Sequence, residues 1–211
     1  MTRGTLDGFI CRLDRGLRAM TDVNISAQRP YPARTEAEEP NFDDSQYESS
    51  ALMRVNHAGE VAAQALYHGQ AVTAQDPQVQ AALEKAGAEE SDHLAWCRTR
   101  LSELNAHPSR LNFIWYAGSF LIGATAGLLG DKWSLGFLAE TEHQVVAHLD
   151  RHLRRLPEKD TRSRAIIKQM REDEHRHATA ALAAGGAPLP NVVKRVMRAT
   201  SGIMTRTAYR W

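Results

Sequence analysis

Cysteine is nearly absent from this chain. Cys11 and Cys97 are its only two in 211 residues, and neither lies in a C-x-x-C pair. That excludes a disulfide framework and a thiolate metal site, and a reducing compartment is expected. Charge of one sign is also missing: the formal net charge is +1, so no global field points to nucleic acid. Alternation of apolar and polar residues with period two is not found, which argues against strands. The first twenty residues, MTRGTLDGFICRLDRGLRAM, scatter charges through their apolar positions and leave no uninterrupted apolar core for a secretory signal.

Helical periodicity is abundant. Leu6, Phe9, Ile10, Leu13, Leu17 and Met20 recur at helical spacing, predicting a short amphipathic N-terminal helix. Residues 21–46 are polar and Pro-containing and read as a linker or wrapping loop. Four long helices are expected over about 47–73, 77–104, 134–156 and 162–184. Asp76-Pro77 opens the second, Pro157 stops the third, and Gly185-Gly186 closes the fourth. The expected fold class is all-α: a four-helix bundle from 47 to 211, with residues 1–46 as an N-terminal helix and linker.

One long uncharged run does exist. Residues 111–130, LNFIWYAGSFLIGATAGLLG, have the length of a membrane span, but a helix buried by its neighbours looks the same. Glycines 118, 123, 127 and 130 would permit close helix approach. The tail 191–211 mixes five basic residues with Val, Met, Ile, Tyr and Trp and has no acidic residue. It reads either as an interfacial helix on anionic lipid or as a solvated helix covering the bundle.

Acidic residues intrude on the apolar stripes. Glu90 stands between Ala86 and Leu94, with His93 one turn away; Glu142 has Leu138, Val145 and Leu149 as face-mates; Glu60 lies among Val61, Ala63 and Leu66. An ionised carboxylate there is costly without a counter-charge, and several on separate helices call for a shared one. The fourth helix offers two overlapping E-x-x-H registers. Glu172 with His175 matches the 30-residue spacing from Glu60 to Glu90, whereas Glu174 with His177 lies on the stripe Ile167, Met170, Ala178, Ala181. Ligands must point inward, so the stripe decides for Glu174 and His177.

One Glu on each of two helices and E-x-x-H on each of the other two form a ligand set for two iron or manganese ions. Glu90 and Glu174 would bridge, with Glu60 and Glu142 terminal and His93 and His177 one to each metal. His57 and His148 are placed either to orient a ligand or to sit as ordinary core or surface histidines. His68, His107, His143, His152 and His175 read as surface residues. GATAGLLG follows no strand and is not a dinucleotide fingerprint.

These stretches, RVNHAGEVAAQALYHGQA, EESDHLAWC, ETEHQVVAHL and MREDEHRHA, resemble the demethoxyubiquinone hydroxylase family of ubiquinone biosynthesis, a ferritin-like di-iron carboxylate group. The resemblance covers about residues 50–211. It implies a ferritin-like bundle with a hydrophobic crossover helix and extra terminal helices, and iron ligands at Glu60, Glu90, His93, Glu142, Glu174 and His177. It further implies an O2-dependent monooxygenase that hydroxylates the ring of a prenylated quinol in the penultimate step of ubiquinone assembly, with NADH or another reductant as electron source. A peripheral place on the cytoplasmic face of the cell membrane, through 111–130 and 191–211, and accessory proteins of the pathway are implied as well. Many members carry a tyrosine after the residue matching His148; here it is Leu149, so no role transfers to that position. The alternative is an iron-binding or peroxide-detoxifying protein of the ferritin and rubrerythrin kind, which would not require the apolar segment or the apolar-basic tail. A nucleic-acid hydroxylase would want a basic groove, and the near-neutral charge does not support one.

Overall fold

A computed structural model describes residues 27–37 and 46–211. Six helices, and no strand among the described residues, run in the order α1 (Gln46–Thr73), α2 (Pro77–Glu103), α3 (Asn112–Leu128), α4 (Asp131–Arg155), α5 (Thr161–Ala183) and α6 (Asn191–Arg210). The expected N-terminal helix over residues 6–20, and Cys11 with it, lie outside the described residues.

The helix ends follow local chemistry. Asp76 caps α2 by accepting the Gln78 N–H at 2.7 Å, ahead of Pro77 in the first turn, where its missing N–H is harmless. Asp160 does the same for α5 through the Ser163 N–H at 2.9 Å. These short connections make α1 with α2, and α4 with α5, neighbouring pairs of one bundle.

The apolar stripes meet in two layers. Toward one end Leu52, Met53, Trp96, Leu101, Leu149, Ile166 and Met170 pack together. Toward the other, Leu66, Tyr67, Leu83, Leu138 and Ala181 do so. On every one of the four helices the acidic residues read from the stripe fall between these layers: Glu60 between Met53 and Leu66, Glu90 between Leu83 and Trp96, Glu142 between Leu138 and Leu149, Glu174 between Met170 and Ala181. A layer of polar side chains is thus buried between two apolar ones.

The long connection from α2 to α4 contains α3, which lies along α1. Their backbones come so close that a Cβ on Gly123 would overlap the Leu66 carbonyl, and one on Gly69 the Phe120 carbonyl. Only one side of α3 is covered: Tyr116, Gly123, Ala126 and Gly127 are buried, while Phe113, Ile114, Leu121 and Leu128 face outward. The uncharged run is therefore neither a span nor a fully enclosed helix. Among the described residues, no helix is long and apolar enough to cross a membrane. Helix α6 packs on α1 by its C-terminal end, where Ala208 is buried and Arg54 donates to the Tyr209 carbonyl at 3.2 Å. The Arg110 N–H donates to the Trp211 carbonyl at 2.9 Å, tying the end of α6 to the approach to α3. Val192, Val196 and Ile203 remain exposed on it.

Two histidines expected at the surface are inside. His68 is buried against α3, its Nδ1 3.0 Å from the Tyr116 hydroxyl. His152 is buried beside His148 at a ring separation of 3.9 Å. Both misreadings have one cause: packing of the crossover helix and the tail covers helix faces that a lone four-helix bundle would leave in water.

Candidate metal centre

Each inward carboxylate comes from a different helix, and the bundle brings them to one place. Glu60, Glu90, His93 and Glu174 present ligand atoms all within 4.8 Å of one another, and so do Glu90, Glu142, Glu174 and His177. The two groups overlap in Glu90 and Glu174. His93 Nδ1 stands 3.0 Å from Glu90 Oε2, 3.0 Å from Glu174 Oε1 and 3.6 Å from Glu60 Oε2. His177 Nδ1 stands 3.1 Å from Glu174 Oε2 and 3.3 Å from Glu90 Oε1. All six residues are buried, whereas Glu172 and His175, the other E-x-x-H register, are exposed.

The electrostatics show how much this cluster needs positive charge. Burial pushes the Glu60 carboxyl well above its ordinary range, and the neighbouring Glu90 and Glu174 charges add to the push. Burial and then Glu174 do the same to Glu142. Burial disfavours the charged form of His177, yet hydrogen bonds with Glu174 and Glu90 override it and raise its pKa to about 11. His93 is likewise held well up against burial by Glu174, Glu90 and Asp173. The imidazolium protons thus stand where cations would serve. Glu142 Oε1 is buried with no hydrogen-bond partner among the described residues. A buried layer of four carboxylates and two imidazoles, with a carboxylate oxygen left over, fits hard, oxygen-preferring divalent metal ions.

Two further acidic residues, not singled out from the sequence, complete the geometry. Each motif reads acidic-Glu-x-x-His: Glu89-Glu90-x-x-His93 on α2 and Asp173-Glu174-x-x-His177 on α5. The leading residue of each motif reaches the histidine of the other. His93 Nε2 is 2.9 Å from Asp173 Oδ2, and His177 Nε2 is 2.9 Å from Glu89 Oε2. Burial opposes ionisation of Asp173, but hydrogen bonds from His93 and Arg29 hold its pKa well below the usual range. For Glu89, His177 and Arg176 outweigh burial in the same sense. An ionised carboxylate has no proton to give, so both Nε2 atoms carry the hydrogen and donate it. Nδ1 is then the atom each ring turns to the cluster. The doubled acidic residue before each E-x-x-H was the signal available in the sequence.

The two histidines considered as orienting residues part company. His57 is buried on α1, one turn before Glu60. His148 turns away from the carboxylates, toward a cavity between α4 and α6 lined also by Arg151, His152, Arg155, Arg206 and Tyr209.

Comparisons with known proteins point one way. A family model described as Ubiquinone biosynthesis protein COQ7 matches residues 47–208. A 3-demethoxyubiquinol 3-hydroxylase of Polynucleobacter asymbioticus is 55% identical over 206 residues, covering 97% of this chain and 98% of that protein. One of Nitrosococcus oceani is 54% identical over 204 residues, covering 97% and 95%. Among solved structures, the dodecameric thioferritin of Bacteroides fragilis, a bacterioferritin-related protein, aligns with a TM-score of 0.54 at 16% identity. The alignment covers 66% of this chain and 86% of that one. At that identity the likeness concerns the fold alone, which is a ferritin-like bundle.

Proposed function

The chain belongs to the COQ7 family of ubiquinone biosynthesis proteins, and from that premise we propose that it is a 3-demethoxyubiquinol 3-hydroxylase working with two iron ions and O2. The observation that carries the reading is the pair of overlapping ligand groups sharing Glu90 and Glu174. Glu60 and His93 would complete one metal position, Glu142 and His177 the other, with the shared carboxylates bridging. Iron held there would supply the electrons that activation of O2 requires, with NADH or another reductant as their source. The formal charges favour loading, since four carboxylates offset two dications.

The rest of the chemistry belongs to the protein. Apolar layers on both sides of the polar layer keep bulk water from the reacting centre. Asp173 and Glu89 hold the two imidazole rings by their Nε2–H groups, so that Nδ1 stays aimed inward. The substrate's prenyl tail is too apolar to cross water, so the enzyme meets it at a membrane surface. The outward residues of α3 (Phe113, Ile114, Leu121) and of α6 (Val196, Ile203) support a peripheral contact on the cytoplasmic face, and the basic residues of α6 suit anionic lipid. A storage or detoxifying role in the ferritin manner has no use for these outward stripes.

Expression in a ubiquinone-deficient host that lacks its own hydroxylase tests the reading. The demethoxy quinone is expected to disappear and ubiquinone to form, as read by mass spectrometry, and Glu90→Ala is expected to abolish the conversion. Persistence of the demethoxy quinone alongside folded, iron-loaded protein refutes it.

A further inference from the structure

The segment 27–37 crosses α2 and α5 and is pinned at two places. At one, the Tyr31 hydroxyl donates to Glu103 Oε2 at 3.1 Å, and Arg162 donates to the Glu36 carbonyl at 3.0 Å. At the other, Arg29 sits between two carboxylates from different helices: its Nε donates to Asp92 Oδ2 on α2 at 2.7 Å, and its Nη1 to Asp173 Oδ2 on α5 at 2.7 Å. The Gln28 N–H adds a bond to Asp92 Oδ1 at 2.6 Å, and the guanidinium lies 4.7 Å from the centre of the Trp96 ring. Asp173 Oδ2 is the same oxygen that receives His93 Nε2–H. A continuous line of charge-assisted bonds therefore runs from the loop through Asp173 to the imidazole.

Asp173 Oδ1 is held as well, by Gln169 at 3.1 Å and by Arg176 at 2.9 Å, but Arg29 is the partner on the oxygen that meets His93. The opposite half of the centre is tied to Arg176 rather than to segment 27–37. His177 leans on Glu89, which is 27% exposed at its side chain and is held by Arg176, itself 58% exposed, at 3.3 Å. Asp173 and His93 are 0% exposed, and Arg29 is 32% exposed at its side chain against 58% for Arg176. Bonds between exposed partners are weakened by water and salt, and partly or fully buried ones much less. Guanidinium geometry matters as well, because a planar fork can hold two carboxylates at once where an ammonium is a point charge.

We infer that Arg29 is a positioning residue for the metal centre: by clamping Asp173 against Asp92 it fixes the ring of His93, so that Arg29 governs metal affinity at the His93 position and not at the His177 position. The inference rests on the reading of His93 and His177 as ligands given above.

The test uses the full chain titrated with Co2+ against a competing chelator, with proton NMR of the loaded protein. In the wild type two equivalents bind, and the ring N–H protons of the two ligand histidines appear as separate, paramagnetically shifted exchangeable signals. Arg29→Gln is expected to weaken one equivalent by roughly 10- to 100-fold, the scale seen when a group supporting a metal ligand is removed, and to speed solvent exchange of one N–H signal only. Glu89→Gln is expected to affect the other equivalent and the other signal. Tyr31→Phe, which loosens the segment at its far pin, should leave both signals sharp.

Unchanged affinity in Arg29→Gln, or equal loss in Arg29→Gln and Tyr31→Phe, overturns the inference while leaving the ligand reading intact. A wild type that binds no metal overturns both. Should Arg29→Gln fail to fold, Arg29→Lys is measured instead: it keeps the charge, loses the fork and should still weaken one equivalent, and wild-type affinity in that variant sinks the idea.

Discussion

At the scale of single residues, the direction of one side chain separates a buried carboxylate from an exposed one. Glu172 and Glu174 are two positions apart on α5, and rotation of about 100° per residue puts one in solvent and the other in the core. Glu174→Ala should therefore lower bound iron well below two per chain, as measured by elemental analysis, while Glu172→Ala should retain the wild-type content. Equal losses would mean that the buried layer is not the metal centre. The stripe of Ile167, Met170, Ala178 and Ala181 was enough to tell which register turns inward. Asp173 was harder to see because its value comes from His93, 80 residues away in the chain.

At the scale of elements, α3 is held to α1 by the absence of side chains. A methyl group at Gly123 would meet the Leu66 backbone, which cannot yield without parting the helices, whereas a methyl at Gly118 meets nothing within 4 Å. Gly123→Ala is expected to lower stability by about 1–3 kcal/mol in urea unfolding, the usual range for overpacking. Gly118→Ala should raise it by up to about 1 kcal/mol, since alanine restricts the unfolded chain and favours helix. Destabilisation of similar size in both variants would show that α3 does not dock through its glycines.

At the scale of the whole molecule, the covering of α4 by α6 gives the protein an acid-sensitive seam. Burial, then Arg151 and Arg155, lower His148 to about 4. Burial, then His148 and the same arginines, lower His152 to about 2. Tyr209, Arg206 and Arg210 of α6 and Val55 of α1 line the same cavity. In the unfolded chain both histidines titrate near 6.5, so above that pH the two states bind the same protons and the seam is at full strength. As pH falls from 6.5 toward 4 the unfolded chain takes up protons that the folded one refuses, and stability declines. Melting temperatures measured across this window should fall, and His148→Gln and His152→Gln should flatten the slope; an unchanged slope in both removes the seam from the account. The outward stripe of α6 makes a separate prediction. Val196→Asp with Ile203→Asp, both at exposed positions, should reduce flotation with anionic liposomes without changing the helical content, and undiminished flotation would deny α6 a membrane role.

The sequence by itself determined the elements and the identity of the inward carboxylates, because both follow from local rules: helical period, capping residues, and the cost of an acid on an apolar stripe. Asp76, Pro77, Pro157 and Glu174 needed nothing beyond their neighbours along the chain. What only the tertiary structure decided are the matters that depend on which faces meet. It placed Glu90 and Glu174 in both ligand groups, paired Asp173 with His93 and Glu89 with His177, and buried His68 and His152 beneath added helices. It also set Arg29, from a stretch that reads as linker, against two carboxylates of the bundle. Such contacts join residues far apart in the chain, and no periodicity records them, since they arise only when separate helices pack.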